Sequence, residues 1–491
     1  MGEKPNFIII MPDQHRADIM GCAGNPLVKT PNLDRLASEG VRFTNTVTQS
    51  PLCVPARAAH LLGRYVHELG TYSNSTFIHD KCPELIPYSF LNILKNIGYE
   101  TIDVGKQHFV SHLSKKSSIT RLVRAEIGPL EDHAKNHEDE MKDLGFTEIQ
   151  EVCGKMESRR VGSYYTDALQ EQGLLEVYQE HITKNRILLA EPMPLPKEYY
   201  IDNYVGDLAI KWLENYNNDQ ETTKPFCLFI GFPGPHDPFD CIKEYVDLYN
   251  PEEIILNEEE IQEAKRPFPQ YVSVSRSISR SKFLTEDYIK RSRAAYYANV
   301  TLIDQKIGEI RKILEERGLL DNTWIIYTSD HGEQLGDHKL FMKFVFYRSA
   351  VMIPLIIRPP NGINGKVFEQ DVELIDIPAT IFKILNIDLP PNHQGKSLLP
   401  FIYDDSIDDS YHHKELCISQ VGKFIMGLTK EWKFVYNITS GNLLELYDRA
   451  NDYYENINLA HTSEGKKIGE DLYIKHFKGI TYRGQIGKEI F

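Results

Sequence analysis

The sequence predicts an α/β fold: a large, mostly parallel β-sheet flanked by helices, followed by a smaller C-terminal α+β subdomain. Three observations carry that expectation. Short, uninterrupted apolar runs recur along the chain, the pattern of strands buried on both faces. Amphipathic stretches separate those runs, and strands alternating with helices imply a parallel sheet under helical cover. After about residue 399 the texture changes to short runs joined by turn residues, as in an antiparallel sheet.

The first strand is expected at residues 7–11, followed by an amphipathic helix at 32–39. A second helix at 88–96 precedes the strand at 101–104. Residues 111–200 are highly charged and lack strand periodicity, so they read as an insertion over the surface. A helix at 204–216 leads into the strand at 226–232. Residues 247–286 form another excursion, with a serine/arginine run at 273–281 that reads as a solvated loop. A long helix at 286–317 precedes parallel strands at 324–328 and 354–358, and a helix follows at 377–385. In the C-terminal part, strands are expected at 416–419, 424–428 and 432–438. Thr462 or Ser463 can cap a last helix through 467–477. The expected units are therefore residues 1–398 and residues 399–491.

Composition narrows the function. The chain has 491 residues, enough for roughly three domains or one large α/β domain with an appendage. Hydrophobic residues at 41% and charged residues at 25% are ordinary globular values, which excludes a disordered, collagen-like or coiled-coil chain. The net charge of −15 argues against a nucleic-acid or anionic-membrane partner, since both need a basic footprint. An anionic ligand would need a local basic pocket. The seven cysteines are scattered, with no CxxC pair, so neither a disulfide scaffold nor a cysteine zinc site is expected. The apolar run at 7–11 is too short for a secretory signal, and no stretch approaches the ~18 apolar residues of a membrane span. A cytoplasmic protein is the expectation.

Ligands of open α/β sheets bind beyond the carboxyl ends of the strands. Four of the expected strands end in chemistry-bearing residues: Pro12-Asp13-Gln14-His15, Gly105-Lys106-Gln107-His108, Gly234-Pro235-His236-Asp237 and Ser329-Asp330-His331-Gly332. Each alone is explained as a helix cap or turn former. Four on one rim point to a metal and an oxyanion. A hard divalent cation fits better than zinc, because Asp13, Asp330 and the Gln14 amide offer oxygen ligands. His331 adds a nitrogen ligand or contacts the substrate.

The segment Pro51-Leu52-Cys53-Val54-Pro55-Ala56-Arg57 is the sharpest feature. Pro55 can begin a helix, which puts Cys53 at or just before the helix N-terminus, where negative charge is favoured. Arg57 lies one turn on and reaches the same face. A buried cysteine on an apolar helix is the usual alternative, but it requires neither the proline nor the arginine.

Cys53-Val54-Pro55-Ala56-Arg57 resembles the C-x-P-x-R signature of the sulfatase family, within the alkaline-phosphatase-like superfamily. The resemblance continues through Thr30-Pro31-Asn32-Leu33-Asp34-Arg35-Leu36, Gly105-Lys106-Gln107-His108, Thr328-Ser329-Asp330-His331-Gly332-Glu333 and Leu446-Tyr447-Asp448-Arg449. It implies an alkaline-phosphatase-like fold with a large mixed, mostly parallel sheet. It implies a hydrolase of sulfuric esters, acting on a sulfated sugar or an aryl sulfate. It also implies that a formylglycine-generating maturation enzyme oxidises Cys53 to formylglycine (3-oxoalanine), whose hydrate attacks sulfur with one hydroxyl and expels sulfate as the aldehyde reforms.

By matching position, the resemblance assigns Asp13, Gln14, residue 53, Asp330 and His331 to one divalent metal, calcium before manganese or magnesium. Arg57 steadies residue 53, and Lys106 and Lys343 grip the sulfate. His108 helps collapse the intermediate, His236 protonates the leaving oxygen, and Asn74 contacts substrate. Some features depart from the commonest sulfatase pattern. Asp13-Gln14 stands where two aspartates are common, His331 where asparagine is common, and Gln107 where tryptophan is common. The first two, with Asn74 and residues 329–338, also resemble phosphonate monoester hydrolases, which use the same formylglycine. Lys106 and His108, which those enzymes lack, favour sulfate. An inactive binding homologue is the third alternative, and the intact Cys53 and Arg57 oppose it.

Overall fold

The computed structural model describes residues 4–111, 129–130, 132–184, 190–217, 224–259, 261, 284–404, 406–407 and 411–482. The serine/arginine run at 273–281 lies outside the described residues.

The first half of the chain contributes β1 (Asn6–Ile10), α1 (Pro31–Ser38), β2 (Val41–Val47), α2 (Cys53–Leu62), α3 (Phe90–Asn96), β3 (Glu100–Gly105) and β4 (Glu148–Glu151). Then follow α4 (Tyr164–Glu171), α5 (Leu175–Lys184), α6 (Ile201–Asn215), β5 (Phe226–Gly231), α7 (Glu286–Glu316) and β6 (Thr323–Thr328). The larger sheet is completed by β7 (Met352–Arg358) and β8 (Lys366–Glu373), with α8 (Asp376–Ile384) behind them. The C-terminal part holds β9 (Cys417–Val421), β10 (Phe424–Leu428), β11 (Trp432–Asn437), β12 (Asn442–Asp448) and α9 (Ser463–Leu472).

Eight strands form one sheet in the spatial order β8-β2-β7-β6-β1-β5-β3-β4. The central run from β6 through β1, β5 and β3 is parallel, so those four strands end on one rim. Side chains alternate between two cores, as period-two geometry requires. Ile8, Ile10, Leu228, Ile230, Ile325 and Tyr327 pack beneath α1, α6 and α7. Phe7, Ile9, Cys227, Phe229, Trp324 and Ile326 pack beneath α2, α3 and α8. Each such buried side chain contributes about 1.5–3 kcal/mol. The long α7 starts where Thr285 accepts a hydrogen bond from the Tyr288 amide, with Glu286 and Asp287 in its first turn.

Strands β9 to β12 form an antiparallel meander. One face, with Val421, Met426, Val435 and Tyr447, packs on Val47, Leu340 and Phe346 of the larger unit. The other face, with Ile425, Phe434 and Leu446, is covered by Ile468 and Leu472 of α9. Thr462 is the cap of α9, accepting from the Gly465 amide.

Three expectations need correction. The strand expected at 354–358 is β7, but it runs antiparallel to both β2 and β6. Its seven residues are all buried, and an apolar run records burial without recording direction. Residues 111–200 are not only a surface excursion, because β4 joins the sheet parallel to β3. Its sequence, EIQE, is that of a polar edge strand and carries little apolar signal. β2 and β8 also lie outside the runs read from the sequence. Among the described residues no helix is long and apolar enough to cross a membrane.

Candidate active site

The rim formed by β1, β3, β5 and β6 carries Asp13, Lys106, His236 and Asp330. α2 runs below it and begins at Cys53. Pro55 lies in its first turn, where an amide hydrogen has no intrahelical partner. Gly63 ends the helix in the left-handed region at φ 62°. All ten residues of α2 are buried, so Cys53 and Arg57 are held in place by packing.

Asp13, Cys53, Asp330 and His331 bring one donor atom each within 4.8 Å of one another. Cys53 Sγ lies 3.1 Å from His331 Nε2 and 3.8 Å from Asp13 Oδ1. His331 Nδ1 donates to the Gly332 carbonyl at 3.0 Å, which leaves the Nε2 lone pair turned toward the cluster. That ring arrangement is the one metal-bound histidines adopt. Two carboxylates, one imidazole nitrogen and residue 53 therefore fit a hard divalent cation. Gln14 stands beside them. Its backbone N–H donates to Asp330 Oδ1 at 3.0 Å, and its side-chain oxygen accepts from Lys343 Nζ.

Cations surround the acids. Arg57 Nε donates to Asp330 Oδ2 at 2.9 Å, and Arg57 Nη1 donates to the Lys106 carbonyl at 2.9 Å. Lys106 Nζ donates to Asp13 Oδ2. Burial opposes ionisation of Asp13, yet Lys106, His236, Lys343 and Arg57 hold its carboxyl well below the usual range. Asp330 is lowered too: burial and Asp13 oppose, but His331, Arg57 and Lys106 outweigh them.

Two histidines stand in opposite states. Burial and the Lys343 ammonium push His236 down to about 4. Its Nδ1 donates to the Asp237 carbonyl at 2.7 Å, so Nε2 accepts from Lys343 Nζ at 2.7 Å. For His108 burial also opposes charge, but Glu157 and Cys53 raise it to about 9. Its Nε2 lies 3.2 Å from Glu157 Oε1. Asn74 is brought to the same place, where its Oδ1 accepts from the Val54 amide at 3.1 Å, next to Cys53.

The structure thus gathers all eleven residues singled out in the sequence around the start of α2. It adds two that sequence reasoning missed. Glu333 is fully buried and accepts from Gln14 Nε2, from the Met342 amide and from the Leu335 amide at 3.0 Å. Burial raises it to about 7. It follows directly on Asp330-His331-Gly332, so its motif was visible but its role was not. Glu157 comes from the charged region before α4, where no motif marks it.

The family model described as Sulfatase matches residues 5–387, and the one described as N-sulphoglucosamine sulphohydrolase, C-terminal, matches residues 336–478. An arylsulfatase of Clostridium perfringens is 28% identical over 502 residues, covering 94% of this chain and 92% of that protein. A protein solved in complex with its substrate D-glucosamine-2-N,6-O-disulfate has the same fold, with a TM-score of 0.72 at 21% identity, covering 96% of both chains. The phosphonate monoester hydrolase of Agrobacterium radiobacter aligns with a TM-score of 0.71 at 22% identity, covering 96% of this chain and 94% of that one.

Proposed function

The chain belongs to the sulfatase family and is a sulfuric ester hydrolase, and we propose that it releases sulfate through residue 53 oxidised to formylglycine beside one divalent cation. The observation that carries this reading is Cys53 at the start of a buried helix, within 4.8 Å of donor atoms on Asp13, Asp330 and His331. Asp13, Asp330, His331, Gln14 and residue 53 would hold the cation, calcium before manganese or magnesium. When bound, such a cation lowers the pKa of the attacking hydroxyl and draws charge from the transferring group. Maturation by a formylglycine-generating enzyme is the partner this requires.

The remaining work falls to protein groups. Arg57, one turn along α2 from residue 53 and paired with Asp330, steadies residue 53. Lys106 and Lys343 bind the sulfate oxygens and offset charge that builds in the transition state. Lys343 and His236 share a hydrogen bond, so the pair holds one proton for the leaving oxygen. His236 takes a proton from Lys343 Nζ at Nε2 and delivers it to the leaving oxygen as the ester bond breaks, and Lys343 regains its proton from solvent afterwards. His108, oriented by Glu157, holds the second hydroxyl of residue 53. The substrate class is a sulfated sugar or an aryl sulfate, supported by the arylsulfatase relative and the disulfated-glucosamine complex. We assign catalysis to residues 1–398, with residues 399–491 as an appended subdomain.

Gln14 in place of a second aspartate favours one other reading, a phosphonate monoester hydrolase with the same machinery. Turnover of an aryl sulfate and an aryl phosphonate monoester on one matured preparation decides between them. The sulfate is expected to be the better substrate; a phosphonate preference of orders of magnitude would reverse the assignment.

A further inference from the structure

A cavity of about 200 Å³ lies apart from the Cys53 cluster, and none of the residues placed around Cys53 lines it. Its wall includes Arg42 and Thr44 of β2, Arg348 and Ser349 just before β7, and Tyr453, Tyr454 and Glu455 from the C-terminal part. Three carboxylates border it, and each already has a cation. Asp18 pairs with Arg16 at 2.6 Å, Asp337 with Arg16 at 2.9 Å and Arg293 at 2.8 Å, and Glu455 with Lys433 at 2.5 Å.

Two guanidinium groups remain. The guanidinium of Arg42 has no hydrogen bond or ion pair among the described residues. Arg348 meets only neutral groups through its guanidinium: it donates to Asn45 Oδ1 at 3.0 Å and stacks 4.7 Å from the centre of the Tyr453 ring. The buried His338 also borders the cavity. Its ring stacks on Tyr347 with centroids 3.8 Å apart, and its Nδ1 has no hydrogen-bond partner.

Like charges sharing a small cavity repel, and the penalty grows as water is excluded. An anion between them removes the penalty and satisfies the forked donors. In an acidic chain, two cations left without carboxylates are the local basic pocket an anionic ligand needs. The volume holds an ion of sulfate or phosphate size with accompanying water. We propose that this cavity is a second oxyanion site, distinct from the catalytic one, in which Arg42 and Arg348 clamp a tetrahedral oxyanion and His338 donates to it. The oxyanion is either free sulfate or phosphate, or a sulfate group carried by a longer substrate.

Calorimetric titration of the full chain with inorganic sulfate, and separately with inorganic phosphate, tests the site. The wild type is expected to bind one more equivalent than the Arg42→Gln/Arg348→Gln variant, or to bind at least about tenfold tighter at that step. Lysine at both positions is expected to restore part of the binding. Because this reads binding, it stands or falls independently of the sulfatase mechanism. Identical stoichiometry and affinity in wild type and variant would overturn the proposal. Should the double variant not fold, phenylglyoxal labelling of the wild type, read by peptide mass, replaces it. Sulfate or phosphate is expected to slow labelling of Arg42 and Arg348, and unchanged labelling would overturn the site. KM then identifies the source. A rise in the double variant confined to sulfated oligosaccharides, with an aryl sulfate unaffected, assigns the anion to the substrate. Unchanged KM for both assigns it to the free ion.

Discussion

Cys53 is expected to be indispensable because its replacement removes the nucleophile itself. Cys53→Ala should lower turnover of an aryl sulfate by at least about 1,000-fold, measured beside an unchanged unfolding transition. A variant retaining activity would remove residue 53 from the chemistry. The pairing of His108 with Glu157 makes a pH-dependent statement. His108 is raised from 6.5 to about 9 against the cost of burial, by Glu157 and Cys53. A raised folded-state value stabilises fully below the unfolded value, and that stabilisation is lost as pH rises through the folded one. Glu157→Gln should therefore cost more stability at pH 6 than at pH 10, read as urea midpoints at the two pH values. Equal losses would show that the pair does not hold a charged imidazole. Glu333 meets the neighbouring Gln14, whose amide is oriented by Lys343: an ammonium group only donates, so it holds the amide oxygen toward itself and leaves the amide nitrogen to donate to Glu333.

Parallel strands carry the site because each ends on the same rim, and tight approaches fix their ends. A Cβ on Gly332 would lie 2.0 Å from the Ser349 carbonyl oxygen, a backbone atom that cannot step aside. Gly332→Ala should cost about 1–3 kcal/mol in stability and displace Asp330 and His331, lowering activity as well; a stable, fully active variant would contradict the packing argument. The elements that could be read from the sequence share one physical trait. β1, β3, β5 and β6 are buried on both faces, so their apolar runs are unbroken, and α6 and α7 show a helical stripe. β2 reads VRFTNTV and β8 reads KVFEQDVE; both are partly exposed, and their alternation is blurred. The direction of β7 was illegible because burial is the same for parallel and antiparallel neighbours.

Two ionic ties, one partly buried and one buried, join the segments flanking the C-terminal sheet to the larger unit. Arg449 meets both oxygens of Asp371 at 2.6 and 2.7 Å. Lys414 pairs with Glu373 and, at 2.8 Å, with Asp376. Removing one partner of a buried pair leaves an uncompensated charge, so Lys414→Met should destabilise the molecule by about 3–5 kcal/mol, read by denaturant unfolding. A loss below about 1 kcal/mol would mean that the tie is not structural. Across the molecule, site residues directly following a readable strand or a short motif could be recognised from sequence. Glu157 could not, because its place beside His108 arises only when the chain between β4 and α4 folds back over the rim. All of this converges on the chemical identity of residue 53. The most direct measurement is the mass of the Cys53 peptide from fully active enzyme made with its maturation partner. The peptide is expected to have lost one sulfur and two hydrogens and gained one oxygen, whereas an intact thiol in every active molecule would contradict the mechanism.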